Sequence, residues 1–214
     1  MLTIGIPTVN RWDLLRPTLA YYMAIYNNTF EILIIDNGNQ GIDQWVKENS
    51  YPSGPQVKVH IPSENLGVSK SWNLICRQAK HVNFLLLNDD ICVGASQKTL
   101  EYMATECLNY NTFIKGTLNW SAIMFDLVLY NTVGPFDETF FPAYFEDNDF
   151  SYRMKLKGIS ETESINLKPI RSINSGSIQK DPGLNTGFQK NRTYYINKWG
   201  GVPGSETFTK PFNL

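Results

Sequence analysis

This sequence is short of several things, and each shortage removes a class of protein. Its three cysteines, Cys76, Cys92 and Cys107, are scattered along 214 residues. That is too few and too dispersed for a disulfide framework or a zinc cluster, so reduced thiols in an intracellular setting are expected. There is no surplus of either charge: the formal net charge is −1, which gives no global basic field for nucleic acid or an anionic membrane. A phosphate-bearing ligand would need local recruitment, by a metal or by backbone N–H groups. No apolar run approaches the roughly 20 residues that span a bilayer. The opening "MLTIGIPTVNRW" lacks a basic leader, an apolar core and a small-residue cleavage site, so no signal peptide is expected and a soluble, cytoplasmic location is. No internal repeat or low-complexity tract is present.

What is there reads as one globular domain over residues 1–214. Hydrophobic residues make up 42% and charged residues 18%, ordinary for a soluble fold with a single well-buried core. Over residues 1–93 short apolar strands alternate with helical patterns. "LTIGIP" reads as a strand stopped by Pro7, and "RWDLLRPTLAYYMAIY" as a helix that Asn10 or Asp13 could cap. "FEILIID" is a strand closed by the turn signal "NGN", "GIDQWVKE" a short helix, "QVKVHI" a third strand. "GVSKSWNLICRQAK" reads as a helix and "VNFLLL" as a fourth strand. Such alternation implies parallel pairing with helices on both faces of the sheet. Unbroken apolar strands such as "EILII" fit a sheet covered on both sides.

The pattern changes over residues 94–165. A helix around "SQKTLEYMATECL" precedes strand-like "TFIKG" and "SAIMFDLVLY", a turn at "VGPFDE", and a helix in "FEDNDFSYRMKLKG" that ends at Gly158. Residues 166–214 are less periodic and richer in Asn, Gly, Ser, Thr and Pro. They read as an extended C-terminal arm, with "KWGGVPGSETF" either a mobile lid or a packed tail.

Acidic residues recur where strands end. Asp36 closes the second strand, Asp89 and Asp90 the fourth, and Glu146 with Asp147 open a later helix. In open α/β sheets ligands bind beyond the carboxyl ends of the strands. Each feature has a plain alternative: a turn former, a solvated loop, or negative charge at a helix N-terminus. A hard divalent cation, Mg²⁺ or Mn²⁺, gives the adjacent aspartates a use, because it relieves their repulsion and often bridges carboxylates to substrate phosphates.

The stretches "IGIPTVNRWDLLRPTLAYY", "EILIIDNGN", "ENLGVSKSWNLICRQA", "FLLLNDD" and "VGPFDETFFPAYFEDNDFSYRMKLKG" follow one another in the order and spacing of family-2-like glycosyltransferases of the GT-A fold. The combination of "NDD" with "GPFDExFFxxxFEDxDFxxR" is the specific part. The chain resembles that family from residue 2 to about residue 160, with a rhamnosyltransferase-like flavour and a "KWGG" tail reminiscent of phage- and virus-encoded enzymes.

The resemblance implies an α/β GT-A (Rossmann-like) fold and an inverting enzyme using a nucleotide-diphosphate sugar, UDP- or dTDP-linked, with Mn²⁺ or Mg²⁺. Pro7, Thr8 and Asn10 would lie against the nucleotide, and Asp36 would hydrogen-bond the base. Asn65, Gly67 and Asn73 would line the nucleotide side. Asp89 would face the ribose or share the metal, and Asp90 would be the metal ligand. Asp147 would be the general base, with Glu146 positioning the acceptor, a glycan, a glycosylated protein or a modified nucleobase. Lys198, Arg192 or Arg171 could bring positive charge to the diphosphate.

Two departures from the family stand out. Asn88 replaces the Asp that often opens the triplet, and the C-terminal His that completes many members' metal shell has no counterpart around "RSINSGS". The two histidines, His60 and His81, precede "NDD"; His60, in a strand-like run, reads as structural and His81 as a helix-end or surface residue. The metal would then be held weakly and arrive with the nucleotide, or be dispensable. Two other readings stay open: a sugar nucleotidyltransferase, which would want a glycine-rich basic loop that "PTVNRW" lacks, and a binding module of GT-A descent.

Overall fold

A computed structural model of the chain describes residues 1–110, 112–172 and 187–214. Its frame is a seven-stranded sheet in the order β3-β2-β1-β4-β7-β6-β8. The strands β1 (Leu2–Thr8), β2 (Phe30–Asp36), β3 (Gln56–His60) and β4 (Asn83–Leu87) run parallel. Beyond them β7 (Asn119–Asp126) pairs antiparallel with β4 and with β6 (Phe113–Gly116), and β8 (Glu161–Glu163) runs parallel to β6. A separate two-stranded ribbon joins β5 (Ile91–Val93) to β9 (Pro169–Ser172).

Side chains on successive strand residues point to opposite faces, and the core divides accordingly. Ile32 and Ile34 of β2, with Leu85 and Leu87 of β4, meet α1 (Trp12–Ile25), α2 (Ile42–Asn49) and α4 (Gln97–Tyr110) on one side. Leu33, Ile35, Phe84 and Leu86 meet α3 (Gly67–Gln78), α5 (Leu127–Val133) and α6 (Glu146–Leu156) on the other. A further helix, α7 (Phe188–Trp199), builds a third cluster around Phe140, Phe145, Tyr152, Tyr195 and Trp199. The expected mostly parallel sheet covered by helices on both faces is the one observed.

Four local expectations need correction. The first strand does not stop at Pro7 but runs on to Thr8. Pairing with β4 covers only Thr3–Gly5, so the missing Pro7 N–H removes no bond on that side. Neither Asn10 nor Asp13 caps α1, whose first turn instead closes on the Arg11 carbonyl. "DLVLY" is the start of a helix, because the Asp126 side chain accepts from Leu129 N at 2.7 Å and caps α5. The C-terminal stretch is not extended throughout: residues 188–199 are helical, and residues 173–186, which include part of the expected arm and of "RSINSGS", lie outside the described residues.

Gly5 shows how tightly sheet and helix meet. A Cβ there would lie 2.5 Å from Ile75 Cγ2 and 2.8 Å from Leu86 Cδ2, both fully buried. Gly5→Ala is expected to lower the unfolding free energy by about 1–3 kcal/mol, the usual range for overpacking, read from the urea midpoint.

Candidate active site

A cleft of about 370 Å³ opens beyond the carboxyl ends of β1 and β4, the place where chain order in the sheet reverses. Pro7, Thr8 and Val9 form its floor with Asn88, Asp89 and Asp90, and Asn65, Gly67, Val68 and Trp72 form one wall. Leu118 of the β6–β7 turn and Asn119 to Ser121 at the start of β7 line it too, as do Pro142, Ala143 and Tyr144 before α6 and Glu146 and Asp147 at its start. Both acidic pairs therefore face one cavity.

The first pair is built into the sheet. Thr8 Oγ1 donates to Asp89 Oδ2 at 2.8 Å, tying the end of β1 to the end of β4, and Asp89 is buried. Asn88 N donates to Ser121 O at 3.0 Å, which fixes the triplet against the start of β7. Asp89 and Asp90 present hard oxygen donors of the kind that suit Mg²⁺ or Mn²⁺. Among the described residues no group of three His, Cys, Asp or Glu side chains could hold a metal by itself.

The opposite wall starts from a turn. Asn65 Oδ1 accepts from Gly67 N at 2.9 Å and Asn37 Oδ1 from Leu66 N at 2.9 Å, so two asparagines shape the entry to α3. Gly67 has φ +69°, and a Cβ on it would lie 2.7 Å from Pro142 O. Both the conformation and the close approach call for glycine. Val68 N donates to that same Pro142 carbonyl at 2.8 Å, joining α3 to the segment that carries the second acidic pair.

That segment is strained. Tyr144 and Phe145 have φ of +80° and +72°, a region where bulky side chains cost about 1–3 kcal/mol each. The strained pair turns the chain so that Glu146 and Asp147 open α6. Asp147 Oδ1 accepts from Asn148 N at 2.8 Å. Glu146 is buried, and its Oε2 has no hydrogen-bond partner among the described residues. Burial, reinforced by the neighbouring Asp147 charge, pushes the Glu146 carboxyl well above the usual range. Burial also raises Asp147, and the charge of Glu161 adds to it. The two therefore titrate as a pair, above ordinary carboxylates.

Other expected site residues sit elsewhere. Asp36 is fully buried and its oxygens are taken by the following turn: Oδ2 accepts from Gln40 N at 2.7 Å, Oδ1 from Gln40 Nε2 at 2.9 Å and from Gly38 N at 3.2 Å. Asn73 faces away from the cleft, donating to Phe136 O and Glu138 and accepting from Tyr130 Oη and Phe136 N. Asn10, with φ +55°, lies beside Gly38 and outside the cleft wall. Lys198 is buried between Asp137 and Asp149, at 2.7 and 2.6 Å. Arg171 donates to Leu14 O at 3.0 Å and to the Thr18 hydroxyl on α1, and Arg192 is exposed on α7.

The "KWGG" stretch is a packed helix end. Gly200, at φ +74°, caps α7, and Thr207 N and Phe208 N both return to Trp199 O at 3.0 Å. His60 is half-buried on β3. Trp120 both packs on Phe113, with ring centres 4.8 Å apart, and lines the cleft.

Several wall residues carried no signal in the sequence. Trp72 has the spacing of a core residue and is one, yet it also borders the cleft. Leu118 belongs to the short β6–β7 turn and Asn119, at φ +55°, opens β7.

A fold of this topology, with acidic pairs converging beyond its parallel strands, defines the GT-A class of sugar-transferring enzymes. The family model described as "Glycosyl transferase family 2" matches residues 3–112, and the chain belongs to that family. No curated protein matches it by sequence. Among solved structures, a mannosyltransferase from Pyrobaculum calidifontis in complex with GDP-Man and Mn²⁺ superposes with a TM-score of 0.67 at 13% identity, covering 95% of this chain and 66% of that one. GalNAc-T7 with UDP, GalNAc and Mn²⁺ gives 0.69 at 12%, covering 94% and 49%. The S. aureus protein TarS, residues 1–349, in complex with UDP gives 0.58 at 17%, covering 78% and 59%. The likeness is one of fold, and the chain spans about half to two thirds of these proteins.

Proposed function

We propose that residues 1–214 form a single catalytic domain: an inverting glycosyltransferase that moves a sugar from a UDP- or dTDP-linked donor to a hydroxyl acceptor. The observation that carries this reading is the meeting of two acidic pairs, Asp89–Asp90 and Glu146–Asp147, across one cleft beyond β1 and β4. Solved relatives of the fold bind GDP-Man or UDP together with Mn²⁺, which supports a nucleotide-sugar donor and a divalent cation here.

In this reading Pro7, Thr8, Asn65 and Gly67 border the nucleotide, and Asp89, held by Thr8, faces the ribose. Asp90, with Asp89, is the ligand pair for Mn²⁺ or Mg²⁺. Among the described residues no third side chain joins these two carboxylates, an arrangement that suits a cation arriving with phosphate oxygens already in its shell. When bound, the cation offsets charge developing on the departing diphosphate. Asp147 takes the proton from the acceptor hydroxyl as its oxygen bonds the anomeric carbon and the bond from that carbon to the diphosphate breaks. Glu146, buried beside it with an oxygen that meets no hydrogen-bond partner among the described residues, orients the acceptor.

UDP or dTDP at about 100 times its dissociation constant should add about 2.7 kcal/mol of stability, which raises the melting temperature by about 5–10 °C. The increase should be larger with Mn²⁺ than with EDTA. An unchanged melting temperature with both nucleotides under both conditions would count against the assignment. Donor hydrolysis over a panel of nucleotide sugars then identifies the sugar.

A further inference from the structure

We infer that α7 is a positioning clamp for the segment 137–149, with Lys198 at its centre. The inference rests on the role proposed for Asp147, because it concerns how that residue is held in place.

The segment joins the "GPFDE" turn to the first turn of α6, and α7 grips it at both ends and in the middle. Lys198 Nζ lies 2.7 Å from Asp137 Oδ2 and 2.6 Å from Asp149 Oδ1, so one ammonium ties residues on either side of the strained aromatics. Tyr194 Oη donates to Asp137 Oδ2 at 2.9 Å, and Trp199 Nε1 donates to Asp149 Oδ1 at 2.8 Å. In the middle, Asn191 Nδ2 donates to the carbonyls of Ala143, at 2.8 Å, and Tyr144, at 3.2 Å.

Packing follows the same line. The ring of Phe188 lies 5.2 Å from Tyr144 and 5.3 Å from Phe145, and Tyr195 lies 5.7 Å from Phe145. Two consecutive left-handed aromatics persist only where their surroundings over-determine them. Here α7 supplies those surroundings, and Glu146 and Asp147 follow directly. None of these α7 side chains lines the cleft, so they act through the segment and not on substrate. A carboxylate displaced by about 1 Å can lose roughly 10²-fold in rate.

The test compares wild type with Lys198→Met, Lys198→Arg and Asn191→Ala. The readouts are hydrogen–deuterium exchange and hydrolysis of whichever of UDP-glucose, UDP-N-acetylglucosamine, dTDP-rhamnose and GDP-mannose the wild type cleaves fastest. Lys198→Met is expected to speed exchange in peptides covering 137–149 while β1 to β4 stay protected. Its kcat should fall about 10²-fold with the donor KM little changed, and Lys198→Arg should recover part of the loss. If Lys198→Met does not fold, Asn191→Ala carries the test, with the same signature at smaller amplitude. Unchanged exchange over 137–149, or faster exchange with an unchanged kcat, overturns the clamp. A wild type that cleaves none of the four donors counts instead against the transferase reading, and exchange alone then decides whether α7 holds the segment.

Discussion

Asp147→Asn is expected to give a folded protein that binds donor normally and transfers almost nothing. Asparagine keeps the shape and can still accept from Asn148 N through its carbonyl oxygen, but it cannot take up the acceptor's proton. A positioned general base contributes about 10²–10⁴-fold, and that is the loss expected in kcat, with nucleotide-induced stabilisation unchanged.

Stability should move the other way. Burial raises the Asp147 carboxyl in the folded chain above its unfolded value, so the folded state binds the proton more tightly. Stability contributed by this group is complete below the ordinary aspartate range and is lost as pH rises through the raised value. At neutral pH wild type carries that penalty and the asparagine variant does not. The variant should therefore melt no lower than wild type, which separates lost chemistry from lost fold. The same shift fixes the pH profile: the base works only when ionised, so wild-type kcat/KM should fall on the acid side at a pH above the ordinary aspartate value of about 4. Wild-type turnover from Asp147→Asn would remove Asp147 as the base.

Much of this fold can be read from the chain because the signals are local. The alternation of β1 to β4 with α1 to α3 follows from apolar periodicity, and the two-sided burial of β2 follows from "FEILIID". Reading failed where one polar contact overrode a pattern. Leu127, Val128 and Leu129 look like strand until Asp126 caps them into a helix. The α7 sequence "FQKNRTYYINKW" is rich in aromatics and asparagine, which are middling helix formers. Its helix is held by contacts with Phe140, Phe145 and Tyr152, far away in sequence.

The site divides on the same line. Carboxylates at strand ends are visible in sequence because strand ends are, and Asp89, Asp90, Glu146 and Asp147 do share a cleft. The destinations of Asn73 and Lys198 are not visible, since their partners lie 63 and 61 residues away along the chain. Nor can spacing reveal that the Asp36 oxygens are spent on the turn to Gln40. A polar residue near a strand end is as readily a brace as a ligand, and only its partners decide which.

Asp90→Ala should remove what distinguishes a metal-assisted cleft from a nucleotide pocket. Asp90 lines the cleft directly after Asp89, whose Oδ2 already accepts from Thr8. The replacement deletes one carboxylate of the pair and leaves the Thr8 brace in place. If Asp90 is the principal ligand, the extra stabilisation by UDP or dTDP in Mn²⁺ over EDTA should vanish, while the metal-independent part contributed by Thr8, Asn65 and Gly67 persists. Electrostatic assistance of this kind is worth several kcal/mol, so turnover should fall on the order of 10²–10³-fold at 1.36 kcal/mol per decade. Asp90→Asn should behave similarly, because an amide oxygen is a neutral and weaker donor to a hard cation. A variant that keeps the full Mn²⁺ effect would move the ligand role away from Asp90 while leaving Asp147 untouched, because the two residues enter the cleft from different elements and fail independently.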